Sequence, residues 1–298
     1  MSASIKPKQV TLEEQTFGPP QIDPTARVHA DAMVSAGVVI GPYAVIGPRV
    51  ELGKGVVVGS HTVIERNTKV GALTRIGPHA VIGGDPQDIK YRGQESFLKI
   101  GQRCRIREFV TINRGSHEGS TTVVGDDCLL MAYVHIAHDC QVGEGVIMAN
   151  NATLAGHCVV EDRAVIGGMA VAHQFVRIGE LAMVGGTSGL MQDVPPYMLA
   201  FGKAPARIVS VNNVGLRRNG VSRSDRQLIR TAFRILFLEG HSVSEALRLI
   251  EELDPNNPYL GHLVEFVRQS RRGICSGRRP NGVGDDPYDE LTASLPAT

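Results

Sequence analysis

The sequence predicts a mainly β chain: a three-sided parallel β-helix built from hexapeptide repeats, followed by a small α-helical domain. Three observations predict it. Aliphatic residues recur every six positions, and a small or β-branched residue recurs four positions after each of them. Large aromatic core pieces are scarce, with no Trp and 5% aromatics in 298 residues. An amphipathic helix needs apolar residues three and four apart, and an ordinary strand alternates by two, so a period of six fits neither. It fits one flat side of a solenoid with a turn at each corner, and three such sides make a coil of eighteen residues.

The register runs without a gap through Ile22, Val28, Val34, Ile40, Ile46, Leu52, Val58, Ile64, Val70, Ile76 and Ile82. It returns at Ile100, Ile106 and Ile112. From Val124 it continues through Leu130, Ile136, Val142, Met148, Leu154, Val160, Ile166, Ala172, Ile178 and Val184 to Leu190. The aliphatic slot points inward, and Ala44, Val50, Val56 and Thr62 exemplify the small slot beside the corner. Gly follows many aliphatics, as at Gly53 and Gly77, where it is expected to relieve unusual backbone angles. Neighbouring coils then pair as parallel strands roughly 4.8 Å apart. Cys104, Cys128, Cys140 and Cys158 all fall in the small interior slot. Cys140 and Cys158 stack one coil apart, which leaves a disulfide conceivable, but buried free thiols acting as small apolar residues are the preferred reading.

Two breaks interrupt the hexads, at 83–99 and 113–123. The first holds Gln87-Asp88-Ile89-Lys90-Tyr91 and the second Asn113-Arg114-Gly115-Ser116-His117. Loops expelled from a solenoid suit ligand contacts, although composition alone reads both as solvated surface. The hexads stop at Pro195-Pro196. The resulting division is an N-terminal extension (1–21), the solenoid (22–196), a helical domain (197–272) and a disordered tail (273–298). Helices are expected over Asp225–Glu239, Ser244–Leu253 and Tyr259–Ser270, with Ser224/Gln227 and Ser242/Glu245 as capping boxes.

Lys and Arg number 31 against 30 Asp and Glu, a net charge of +1, which argues against bulk nucleic-acid or membrane binding. No apolar run is long enough to span a bilayer, and residues 1–20 lack an apolar signal core, so a cytoplasmic location is expected. The cysteines show no CxxC or zinc spacing. Locally, Lys203, Arg207, Arg217, Arg218, Arg223, Arg226, Arg230 and Arg234 face only Asp225 in charge, a bias suited to an acidic partner or a phosphate.

The window Tyr133–Cys140 is the richest in chemistry. Ile136 and Cys140 point inward by the register, which turns His138 outward or toward a neighbouring chain. One coil on stands Gly156 and two coils on Gln174, with His157 and His173 one residue from that column. The fold itself asks for no histidine there. Zinc binding finds weak support in the His135–His138 spacing. Nucleophilic catalysis lacks an outward Ser or Cys beside the histidine. General-base catalysis needs one well-placed imidazole, with the Gly156 N–H one coil away for a developing oxyanion, and calls for no metal or cofactor.

With these residues the chain resembles the acyl-carrier-protein–UDP-N-acetylglucosamine O-acyltransferase family, which begins lipid A synthesis. The resemblance spans 22–272. It rests on Gln87–Tyr91, His135–Cys140, Asn150–His157, Ile166–Met169, His173-Gln174-Phe175 and Gln192–Tyr197. It implies a left-handed β-helix and a homotrimer with active sites between chains. His138 would deprotonate the sugar 3-hydroxyl, which attacks the thioester of a 3-hydroxyacyl carrier protein. Asp139 would orient His138, and Gly156 would bind the oxyanion. Gln87, Asp88, Lys90, Tyr91, His135, His157, His173, Gln174 and Arg218 would contact the nucleotide sugar or acyl chain. Gly186 sits where the family carries its acyl-length ruler, and glycine there resembles members taking longer chains. The basic helices would receive the acidic carrier protein. Val214 and Asn219 depart from the acidic residue and second arginine of the best-known members. An amino-sugar N-acyltransferase, a zinc enzyme like the γ-type carbonic anhydrases and a non-catalytic scaffold remain as alternatives.

Overall fold

A computed structural model of the chain describes residues 16–277. Most of the expected N-terminal extension and the tail beyond 277 lie outside the described residues. The strands stack into three walls of eleven, nine and eight, forming a left-handed parallel β-helix. Coil partners are eighteen residues apart, as in Gln21↔Val39 and His135↔Thr153. Across the first break the step is thirty (Ile76↔Ile106, Ile82↔Ile112) and across the second twenty-four (Ile106↔Leu130, Ile112↔Ile136). The excursions thus add twelve and six residues, whole numbers of hexads. That is why the inward phase survives both.

The inward aliphatics are buried, Ile40 at 2% and Ile64 at 0% exposure. Each such burial is worth roughly 1.5–3 kcal/mol before conformational entropy is subtracted. Ile22, in the first coil with no coil below it among the described residues, is 44% exposed. The interior cysteines are free thiols. Cys140 donates to the Ala155 carbonyl at 3.2 Å just as the Thr62 hydroxyl donates to Gly77 at 2.8 Å, so the thiols stand in for threonines.

The corners differ from expectation. Except for Gly83 (φ 76°) at the first break, glycines directly after the inward aliphatic do not carry the left-handed backbone. They permit close approach, since a Cβ at Gly53 would lie 2.8 Å from the Ala72 nitrogen. The left-handed residue comes two positions later and mostly has a side chain: Tyr43 (φ 57°), His61 (57°), His79 (58°), Phe109 (59°), Tyr133 (63°). Such a conformation costs about 1–2 kcal/mol per residue. At this corner the five rings stack coil upon coil, with centroids 4.9 to 5.1 Å apart, which offsets part of that cost.

The first wall does not end at Pro196. Met198–Phe201 pairs in parallel with Met183–Val184, then antiparallel with Arg207–Val211, a hairpin the period of six does not announce. Four helices follow: α1 (Asn213–Arg218), α2 (Arg223–Phe237), α3 (Val243–Leu253) and α4 (Pro258–Arg268). α1 was not expected from the sequence. Ser222, rather than Ser224, caps α2 by accepting from the Asp225 N–H, because Arg223 and Ser224 already lie in the first turn. Ser242 caps α3 as expected.

The helices dock on the solenoid through Arg177, which lies 4.1 Å from the Phe266 ring centroid. His262 adds contacts to Glu161 (3.0 Å), Glu180 (3.5 Å) and the Tyr197 hydroxyl (2.8 Å). The expected disordered tail is corrected at its start: the Cys275 N–H bonds Asp193 and Ile208 pairs with Gly277, so packing continues to 277. At the other end Phe17 lies against Gly37 and Gly55, so the extension is part of the first coils from there. No helix among the described residues is long and apolar enough to cross a membrane.

Candidate active site

The second-wall strand His135–Ile136 leads into a corner at which Asp139 takes the left-handed conformation (φ 59°). That bend brings adjacent side chains together: His138 Nδ1 lies 2.8 Å from Asp139 Oδ2, with the side chains only 12% and 10% exposed. Burial opposes the charge on Asp139. Hydrogen bonds from His138, from the side chains of Ser116 and Ser120 and from the Ser116 N–H outweigh it and hold the carboxyl well below the usual carboxylate range. An ionised Asp139 only accepts, so Nδ1 is the donor in this pair, and in a neutral imidazole the lone pair then lies on Nε2.

Asp139 is itself fixed. Ser116 donates its hydroxyl to Oδ2 at 2.6 Å and its N–H at 3.2 Å, and Thr122 accepts from the Asp139 N–H at 2.8 Å. The second break is therefore solvated only toward its tip: Ser116 is buried and Arg114 is 0% exposed, whereas 117–119 are exposed. The sequence left this segment open between a ligand loop and a solvated one, and did not single out Ser116 as the support of Asp139. The signal available was a short polar side chain in an excursion of only one hexad, which cannot stray far from the wall.

Gly156 lies one coil on, directly under the His138 ring. A Cβ there would sit 2.5 Å from Cε1 and 2.7 Å from Nε2, so any other residue would force the His138 ring to move. Among the described residues no acceptor takes the Gly156 N–H. Elsewhere the equivalent corner slot holds Pro42 and Pro78, because the coil has no use for an N–H at that place. An N–H in the slot is free for a ligand, here beside Nε2.

His157 approaches Asp139 at 3.7 Å, meets His138 edge-on at 5.1 Å and stacks on Phe175 at 4.7 Å. Burial, then the neighbouring histidines, push its pKa down against the opposing pull of Asp139 and Asp88. His135 is likewise pushed down by burial and by His138, and its Nδ1 meets the Thr111 hydroxyl at 2.7 Å. Thus His135, His138, Asp139, Gly156 and His157 form one cluster, and Asp88 is near enough to act on His157. His173 and Gln174 continue the column two coils up, with His173 Nδ1 on the Gln174 carbonyl at 3.2 Å.

In the first break the Asp88 carboxylate accepts from the Lys90 N–H at 2.9 Å, and the Tyr91 hydroxyl donates to the Gln94 carbonyl at 3.0 Å. Gln87 and Lys90 are exposed. Gly186 and Arg218 are not brought to His138 within one chain. Gly186 stands at the corner between the first and second walls, three coils on, and Arg218 ends α1.

Ligand atoms of His138, Asp139 and His157 lie within 4.8 Å of one another, a spacing that can hold a metal ion. Doing so through Nδ1 would replace the His138–Asp139 hydrogen bond.

Comparison with known proteins decides the family. The family model described as UDP-N-acetylglucosamine O-acyltransferase, domain 2, matches residues 193–275, and the bacterial transferase hexapeptide model matches 31–66 and 121–156. The acyl-[acyl-carrier-protein]–UDP-N-acetylglucosamine O-acyltransferase of a Synechocystis strain is 46% identical over 209 residues, covering 68% of this chain and 74% of the relative. The chain belongs to that family. It is an acyltransferase. Solved relatives share its architecture. The UDP-N-acetylglucosamine O-acyltransferase of Moraxella catarrhalis superposes with a TM-score of 0.82 at 39% identity, over 85% of this chain and 99% of that one. The Francisella novicida UDP-N-acetylglucosamine acyltransferase gives 0.83 at 33%, over 93% and 100%. The acyltransferase therefore carries its cluster on a family scaffold, with the histidine–aspartate pair on the second wall and the helices closing one end.

Proposed function

We propose that this acyltransferase moves a 3-hydroxyacyl group from acyl carrier protein to the 3-hydroxyl of UDP-N-acetylglucosamine, the opening step of lipid A synthesis, in the cytoplasm and as a homotrimer. The observation that carries the mechanism is the 2.8 Å bond between His138 Nδ1 and Asp139 Oδ2, which leaves Nε2 as the base over Gly156. His138 takes the proton of the sugar hydroxyl, the alkoxide oxygen attacks the thioester carbonyl, and the Gly156 N–H receives the oxyanion. Collapse expels the carrier's thiolate, and the imidazolium returns a proton to it. Asp139 keeps the proton on Nδ1. Asp88, Lys90, Gln87, Tyr91, His135, His157, His173, Gln174 and Arg218 form the sugar-nucleotide and acyl surface, some from a neighbouring copy. Gly186 leaves room for a longer acyl chain. Charge complementarity seats the acidic carrier on exposed arginines of the C-terminal domain, Arg217, Arg218 and Arg223 among them.

The deciding experiment measures transfer from 3-hydroxyacyl carrier protein to UDP-N-acetylglucosamine and its 3-amino analogue, with wild type and His138→Ala. Transfer to the hydroxyl that disappears in the variant is expected. Preference for the amine would make the enzyme an N-acyltransferase. The His138, Asp139 and His157 spacing favours one second reading, a zinc enzyme, and stoichiometric zinc needed for turnover would establish it.

A further inference from the structure

Among the described residues Arg114 is the largest fully buried side chain, at 0% exposure, yet it takes no part in the chemistry above. One guanidinium nitrogen donates to the Gly83 carbonyl and the other to Asp85, with the Tyr91 hydroxyl 3.5 Å away and Glu65 at 3.7 Å. The Arg114 N–H also donates to the Gly84 carbonyl at 3.0 Å, and Asn113 donates to the Asp85 carbonyl at 2.9 Å. Arg114 therefore grips the start of the first excursion and reaches the tyrosine of its substrate motif. Two residues further along the same short segment, Ser116 holds Asp139.

Stability alone does not account for this side chain. Its Nε is buried without a partner among the described residues, as are Asn113 Oδ1, Asn67 Oδ1 and Ser96 Oγ around the base of the excursion. A buried cation with an unpaired donor is a poor way to stabilise a fold that could have placed an aliphatic there. What it does supply is a rigid planar fork spanning two loops.

We propose that Arg114 is a positioning residue that sets the distance between the Asp88–Lys90 segment and the His138–Asp139 pair, and so governs acceptance of the sugar nucleotide. The substrate assignment rests on the function proposed above; the clamp itself does not. Asp85, whose side chain is 54% exposed and also meets Arg66 at 3.2 Å, is the loop-side partner that can be changed without emptying a buried site.

The test uses full-length Arg114→Lys and Asp85→Asn with two readouts. Amide hydrogen exchange over 85–95 is expected to quicken at least about tenfold in both variants while the coil of 135–154 is unchanged. KM for UDP-N-acetylglucosamine is expected to rise about tenfold with kcat within about threefold. Unchanged exchange over 85–95, exchange that rises equally in the coil, or a faster loop with unchanged KM would each overturn the proposal. If the wild type does not acylate this sugar nucleotide, the proposed function fails, and binding of UDP-N-acetylglucosamine by calorimetry takes the place of KM. Equal affinity in wild type and variants then overturns the substrate role.

Discussion

Two corners of the prism carry the same backbone and opposite roles. At one, Tyr43, His61, His79, Phe109 and Tyr133 occupy the left-handed position coil after coil, their rings stacked within 18° of parallel. At the other, Asp139, His157 and Phe175 occupy that position with φ of 59°, 62° and 66°. Only the upper pair of rings stacks there. Where the column would take another ring stands a carboxylate, and the free space admits His138 from the neighbouring slot. The repeat fixes where a side chain starts; a single departure from the repeated chemistry makes a site. The histidines of the aromatic corner have rings for partners, whereas His138 has an ionised aspartate.

Breaking the His138–Asp139 corner should have the largest effects. His138→Ala is expected to lower the rate at least about 10²-fold, and Gly156→Ala by a similar factor, since its methyl would collide with the imidazole at 2.5 Å. Steady-state kinetics with unchanged circular dichroism would check both, and an active Gly156→Ala would remove the close approach from the mechanism. Ser116→Ala should act less, lowering kcat roughly tenfold with KM unchanged, because a hydrogen bond to a charged group is worth about 1.5–3 kcal/mol. Equal activity of this variant and wild type would mean that Thr122 and the backbone suffice to hold Asp139.

The aromatic corner should answer with stability alone. Phe109→Ala interrupts the stack and is expected to cost about 0.5–1.5 kcal/mol beyond lost burial, read as a lower denaturation midpoint with kcat within twofold. A large loss of kcat per folded molecule would show that the two corners are coupled.

The smallest expected effect lies at the docking of the helices. Hydrogen bonds to Glu161 and Glu180 raise the His262 pKa from 6.5 to about 9. Its contribution to stability is therefore fully present below about pH 6.5 and lost as pH rises through about 9. Denaturation midpoints of wild type and His262→Gln should converge across that window. Parallel curves would show that the cluster's charge does not matter to docking.

The solenoid was legible because the period of six is a local property: each inward aliphatic appears in the string without reference to its partner. The hairpin Met198–Phe201/Arg207–Val211 was not, since antiparallel pairing of two short strands leaves no period. The cap of α2 was misplaced by two residues because Ser222 and Ser224 look alike until the chain's direction of entry is known. Within the site, His138, Gly156 and His157 fell together by adding eighteen. Ser116 and Arg114 did not, because excursions of six and twelve residues have no register of their own.

The sequence by itself determined the walls, the inward phase, the interior thiols and the column in which His138 stands, since all follow from a repeat read one hexad at a time. Only the tertiary structure decided what surrounds that histidine: Asp139 turned toward His138, Ser116 beneath Asp139, and Arg114 buried between two loops. The contacts of Ser116 and Arg114 join residues 23 to 31 positions apart through segments outside the repeat, so their geometry exists only once the coils have stacked.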